Sequence, residues 1–121
     1  MNDIWEFVVN ENCYTKTVNG VTVKIAKKHY DEHSIAYADK MIEVYFNGKE
    51  RIVDYIILKI ANCYDEQYTA DEIKERLGEP HIEILSKNYG KLVWLDHQLD
   101  EHIIECEFTD DMKLSYVTMD G

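Results

Sequence analysis

The stretch Glu50 to Tyr64, ERIVDYIILKIANCY, constrains the fold of this chain more than any other. Ile52, Val53, Ile56, Ile57, Ile60, Ala61 and Tyr64 recur at the i, i+1, i+4, i+5, i+8 spacing of one broad apolar stripe on a helix, and Glu50, Arg51, Asp54 and Lys59 lie off it. A stripe that wide needs a surface to cover. The flanking segments alternate apolar and polar residues as strands do. The pattern therefore predicts an α+β fold, with an antiparallel sheet of hairpins and a C-terminal meander packed against one long central helix and one short helix.

At 121 residues and 45% hydrophobic composition the chain suits one core, and we read residues 1–121 as a single domain. One proline and five glycines leave no flexible linker. Ile4 to Val9 reads as a strand. CYTKTV and VTVKIAK flank Asn19-Gly20, a dipeptide that tolerates the positive φ angles of a type I′ turn, so they read as a hairpin with Val21, Val23 and Ile25 on one face and Thr22, Lys24 and Ala26 on the other. Lys27 to Lys40 has no winning period and reads as a polar connection. Met41 to Phe46 alternates and reads as a strand closed by Asn47-Gly48.

Thr69 and Glu72 have the spacing of a capping box, and ADEIKERL then runs to Gly78 with Pro80 beyond it, the start and stop of a short helix. Ile73 and Leu77 form its apolar stripe; Asp71, Glu72 and Glu75 make its open side acidic. HIEILS, KLVWLDHQL, HIIECEF and MKLSYVT read as a meander, with Asp100-Glu101 a tight turn. Alternation places Ile82, Ile84, Leu92, Trp94, Ile104, Cys106, Phe108, Leu114 and Tyr116 on one face, and Glu83, Glu105, Glu107, Lys113 and Ser115 on the other.

The net charge of −11 is unevenly spread: residues 1–60 hold nine acids and eight bases, residues 61–121 fifteen acids and five bases. That imbalance disfavours direct binding to nucleic acid or an anionic membrane, and would steer a basic protein toward the C-terminal half. The first residues lack a secretory signal pattern and no apolar run approaches membrane-spanning length, which suggests a cytoplasmic protein. Cys13, Cys63 and Cys106 are an odd count without CxxC spacing and read as reduced thiols.

Two groups of residues could carry chemistry. His29 and His33 are four apart with Asp31 and Glu32 between them, a spacing that could present a metal-binding pair on a helix, although the zincin HExxH order is missing. Asp96, His97, Asp100, Glu101, His102 and Glu105 crowd one expected hairpin and hold the carboxylates and imidazoles of acid-base catalysis or a metal site. No phosphate-cradling glycine loop or nucleophile motif accompanies either group, so we expect no catalytic residues, no metal and no cofactor. Tyr64, Tyr68 and Tyr89 stand beside Asp65, Glu66 and Asn88 at element ends. Aromatics rimmed by acids suit a protein interface.

In size, acidity and lack of a catalytic motif the chain resembles small bacterial immunity proteins, which bind and block a toxin. In addition, TADEIKERLGEP followed by the Trp94 strand looks like the helix-LGxP-strands unit of beta-lactamase inhibitor and outer-membrane small-lipoprotein folds. Both likenesses imply a binder. The expected partner is a basic protein, a toxin domain such as a nuclease, held through Asp65, Glu66, Tyr68, Asp71, Glu72, Glu75, Tyr89, Asp96, Asp100, Glu101, Asp110 and Asp111. Three alternatives stay open: a nucleic-acid mimic that inhibits a restriction or CRISPR-type nuclease, a small hydrolase or metal-dependent enzyme using Asp96, His97 and His102, and a self-associating module.

Overall fold

The computed structural model describes residues 4–120 and places seven strands in chain order across one sheet: β1 (Glu6–Val8), β2 (Cys13–Val18), β3 (Val21–Ala26), β4 (His81–Ser86), β5 (Tyr89–Trp94), β6 (Ile103–Thr109) and β7 (Lys113–Asp120). Three helices, α1 (Glu32–Asn47), α2 (Lys49–Ile60) and α3 (Ala70–Leu77), all fall between β3 and β4. A helical crossover brings the chain back in its original direction, so β3 and β4 pair in parallel, Val23 opposite Ile82 and Ile25 opposite Ile84. Every other neighbouring pair is antiparallel. The sheet is thus mixed, not wholly antiparallel, and among the described residues no helix is long and apolar enough to cross a membrane.

The largest correction concerns residues 27–47. A connection followed by a strand over Met41 to Phe46 was expected, but Glu32–Asn47 is a single helix. Its N-terminus is set by Asp31, whose carboxylate accepts the Ser34 N–H at 2.8 Å. Tyr37, Ala38, Met41, Ile42 and Tyr45 are its buried residues apart from Ser34, the same spacing as the α2 stripe, and they make the alternation in MIEVYF incidental. The long central helix is also shorter than expected. It ends at Ile60 and continues as a 3-10 turn over Ala61–Cys63, leaving Tyr64 at the foot of the stripe, 2% exposed.

Elsewhere the turn and cap chemistry is where the residues imply. Asn19 and Gly20 both take positive φ, 47° and 84°, in the β2–β3 turn, and Thr69 and Glu72 close the capping box of α3. Val21, Val23, Ile25, Ile82, Ile84, Leu92, Trp94, Ile104, Cys106 and Phe108 join Ile52, Ile56, Ile60, Ile73 and Leu77 in one core. Burying each such isoleucine contributes about 2 kcal/mol. Gly90 lies where Phe108 crosses the sheet: a Cβ there would sit 2.7 Å from the Phe108 ring and 2.5 Å from the Glu83 carbonyl oxygen. Lys16 also faces the helices; it is buried because it pairs with Asp39 of α1 at 2.6 Å and lies over the Trp5 ring. The Glu79 carboxylate joins α1 and α2, accepting from the Tyr45 hydroxyl at 2.6 Å and from Lys49.

Two departures in the meander follow from local geometry. Tyr116, expected to face inward beside Leu114, is 76% exposed with φ of 30°. A bulge sets Cys106 opposite Val117 and Glu107 opposite Ser115, so Tyr116 has no partner and Val117 and Met119 pack on the core instead. The strand expected to run from Lys91 to Leu99 stops at Trp94, and the expected tight turn at Asp100-Glu101 is part of a longer loop reaching Ile103.

Candidate partner-binding end of the sheet

That β5–β6 loop and the end of β5 before it are held to the helical segment at three places. The Gln98 N–H donates to the Arg76 carbonyl at 2.7 Å, and the Arg76 guanidinium returns a bond to the Gln98 carbonyl at 3.3 Å. The same guanidinium lies 4.5 Å over the Tyr68 ring. Beneath it, the Trp94 indole N–H donates to the Gly78 carbonyl at 3.1 Å. At the foot of α2, the Tyr64 hydroxyl donates to Asp100 Oδ2 at 2.7 Å.

Within the loop, His97 and Asp100 do the folding. His97 is buried; its Nδ1 accepts the Leu99 N–H at 3.2 Å and its Nε2 donates to the His102 carbonyl, an arrangement that fixes the ring as the Nε2–H tautomer. Asp100 Oδ1 accepts the His102 N–H and Oδ2 contacts the His102 ring, each at 2.9 Å. Burial pushes the Asp100 carboxyl up, but hydrogen bonds from His102 and Tyr64 outweigh it and hold the group below its usual range. Burial, then Asp100, pushes the Tyr64 phenol well above its ordinary value.

This geometry sorts the residues expected at the site. Asp65, Glu66, Asp71, Glu72 and Glu75, from the turn after α2 and from α3, come together with Asp96, Asp100 and Glu101 of the loop at one end of the sheet. Asp65, Glu66, Asp71, Glu75, Asp96 and Glu101 point into solvent. Tyr68 is half-buried under Arg76. Asp120, opposite Ile103 and not anticipated, adds to the same end. Glu72 serves the α3 cap, its Oε1 accepting the Thr69 N–H at 2.8 Å, and those bonds hold its carboxyl below the usual value.

Tyr89, Asp110 and Asp111 do not belong with them. Tyr89 pairs with Thr109, whereas the loop begins beyond the Trp94–Ile104 pair, a separation of about 17 Å along the strand. There Asp110 accepts from Asn88 at 2.9 Å and, through its carbonyl, from Tyr37 at 2.8 Å, while Asp111 pairs with Lys40 at 2.6 Å. With His33 and Lys87, the residues Tyr37, Lys40, Asn88, Asp110 and Asp111 line a cleft of about 500 Å³ that holds both acids and bases.

The candidate chemical groups do not converge. His97 spends both ring nitrogens on backbone groups, His102 turns to Asp100, and Asp96 is exposed. His29 closes a 3-10 turn (Lys27–His29) and His33 stands in the first turn of α1, so the pair does not share a helix. Among the described residues no three His, Cys, Asp or Glu side chains are placed to hold a metal ion. Sequence reasoning missed the Arg76–Gln98 link, because both bonds end on backbone carbonyls of distant segments and leave no residue pattern. No protein-family model, characterised protein or solved structure matches this chain.

Proposed function

We propose that the protein is an acidic binder that neutralises a basic protein partner by covering its active site, as an immunity protein does a toxin, a nuclease being one such partner. One observation carries this reading: two acidic segments separated in sequence, residues 64–76 and 96–102, are bonded together through Tyr64 and Arg76 into one exposed end whose imidazoles are committed to holding the loop. Carboxylates fixed on a hydrogen-bonded frame raise the encounter rate with a cationic surface and lose little freedom on binding. Such a surface meets the Lys and Arg that line a nuclease groove, which is also how a nucleic-acid mimic would act.

The test is stoichiometric inhibition. The protein is captured with its partner from its native host, and the partner's activity is assayed with and without equimolar protein. Inhibition of a basic partner that weakens steeply with added salt supports the reading; salt-independent binding, or a partner that stays active in the complex, overturns it. Competition with DNA or RNA for the same surface would identify the mimic form.

A further inference from the structure

At the corner where the acidic end meets the helix-free face of the sheet, Leu95 and Ile103 are 43% and 36% exposed, flanking the Trp94–Ile104 pair that ends the β5–β6 ladder. Asp120 stands opposite Ile103 across β7, and Glu105 lies two residues along the same face of β6. Asp96 and Glu101 lie between Leu95 and Ile103 in sequence, both exposed. The nearest lysine on this face, Lys91, is bonded to Glu105 at 3.2 Å. In the adjoining row His81 sits opposite Val93, and the His81 Nδ1 is buried without a hydrogen-bond partner. A buried ring nitrogen left unpaired costs free energy until a donor or acceptor reaches it.

We propose that Leu95 and Ile103, ringed by Asp96, Glu101, Glu105 and Asp120, form the anchoring centre of the interface with the basic protein partner, and that the partner seats there an apolar side chain flanked by lysine or arginine. The inference rests on the reading above, since it takes the partner to be basic. An exposed apolar pair inside a charged rim is the arrangement in which a few contacts set the dissociation rate while the rim charges set the association rate. Charge selects the occupant: an acidic partner would meet four carboxylates. Leu58, although 75% exposed, has no such rim, standing alone on the outer side of α2 between Asp54 and Lys59.

Photocrosslinking in the native host tests the proposal, with p-benzoylphenylalanine placed singly at positions 95, 103, 75 and 58 of the full chain and the adducts identified by mass spectrometry. One basic protein crosslinked from 95, 103 and 75, and not from 58, is the expected result. With that protein purified, the Leu95→Ser/Ile103→Ser variant, checked for an unchanged urea midpoint, should dissociate at least tenfold faster. Adducts from 75 but not from 95 or 103, or dissociation within twofold of the parent, overturn the inference and leave the broader reading standing. A second copy of this chain crosslinked from 95 and 103 overturns it as well. No basic adduct at any position overturns both.

Discussion

The Tyr64 hydroxyl and the Asp100 carboxylate meet at 2.7 Å across 36 residues of chain, joining the last residue of the α2 stripe to the loop that carries Asp96, Asp100 and Glu101 of the acidic end. Tyr64 was legible as the foot of a helix stripe and Asp100 as a loop acid; their contact depends on where the loop folds back.

Removing that bond isolates its contribution. Tyr64→Phe keeps the buried ring and leaves Asp100 with its two His102 contacts, so the cost should be about 1 kcal/mol, the net value of one such bond. Urea unfolding of parent and variant measures it, and limited proteolysis should show faster cleavage within residues 95–102. A loss under 0.3 kcal/mol would mean that the loop is held by Arg76 and His97 alone.

Acid should weaken the fold through the same group. The folded Asp100 carboxyl is held below its unfolded value of about 3.8 by His102 and Tyr64, which prevail over its burial. The folded state therefore holds its proton less tightly. The stabilisation is present above the unfolded value and is lost as pH falls through the lower, folded one. Glu72, held down by the Thr69 backbone, and Asp31, held down by the Ser34 backbone, act in the same direction. Stability measured from pH 5 to pH 2 should fall, and Asp100→Asn should flatten part of that fall.

Alkali acts with the opposite sign. Burial, followed by Asp110 and Asp111, raises the Tyr37 phenol to about 12 from an ordinary 10, and burial likewise raises Tyr45 and Tyr64. An acid whose folded value is raised contributes stability that is intact below its unfolded value and is lost as pH climbs from 10 toward 12. Phenolate absorbance should therefore show a late-titrating group, Tyr37 among it, that appears together with unfolding. Tyr37→Phe should remove its share of that dependence.

What could be read beforehand depended on whether the signal was local. The Asn19-Gly20 turn, the Thr69–Glu72 box and the Ile52–Ile60 stripe each write their structure into adjacent residues. The α1 helix was also written, in the spacing of Tyr37, Ala38, Met41, Ile42 and Tyr45 after an Asp31 cap, but dividing the segment at Lys40 concealed the period behind β-branched residues. The parallel β3–β4 pair follows from α1, since replacing a strand by a helix changes the direction in which the chain returns. The Tyr116 bulge had no local sign, because two strands in partnership select it. The acidic character of the site was plain from composition; that Tyr89, Asp110 and Asp111 stand at the opposite end depends on strand register alone.

Gly90 should be intolerant of the smallest addition. Its Cβ would press on the Glu83 carbonyl and the Phe108 ring at distances under 3 Å, and neither the strand backbone nor a ring fixed in the core can yield cheaply. Gly90→Ala should cost about 3 kcal/mol, the upper range for overpacking, in chemical denaturation. A loss below 1 kcal/mol would indicate that Phe108 has room to rotate.

Charge reversal should distinguish the two ends. Glu72 is a poor choice for it, because losing the α3 cap would cost about 1 kcal/mol and confuse binding with stability. Asp71, Glu75, Asp96 and Glu101 are exposed and hold no cap. Converting these four to lysine should leave the urea midpoint nearly unchanged and slow association with a basic partner about a hundredfold at low salt, with the difference shrinking as added salt screens the field. The same change at Asp110 and Asp111, beside Lys40 and Lys87 at the far end of β5, should leave association within threefold. Stopped-flow association at two salt concentrations decides the matter: equal slowing from both ends would mean that overall charge drives the encounter, and the acidic end would lose its claim to be the binding surface.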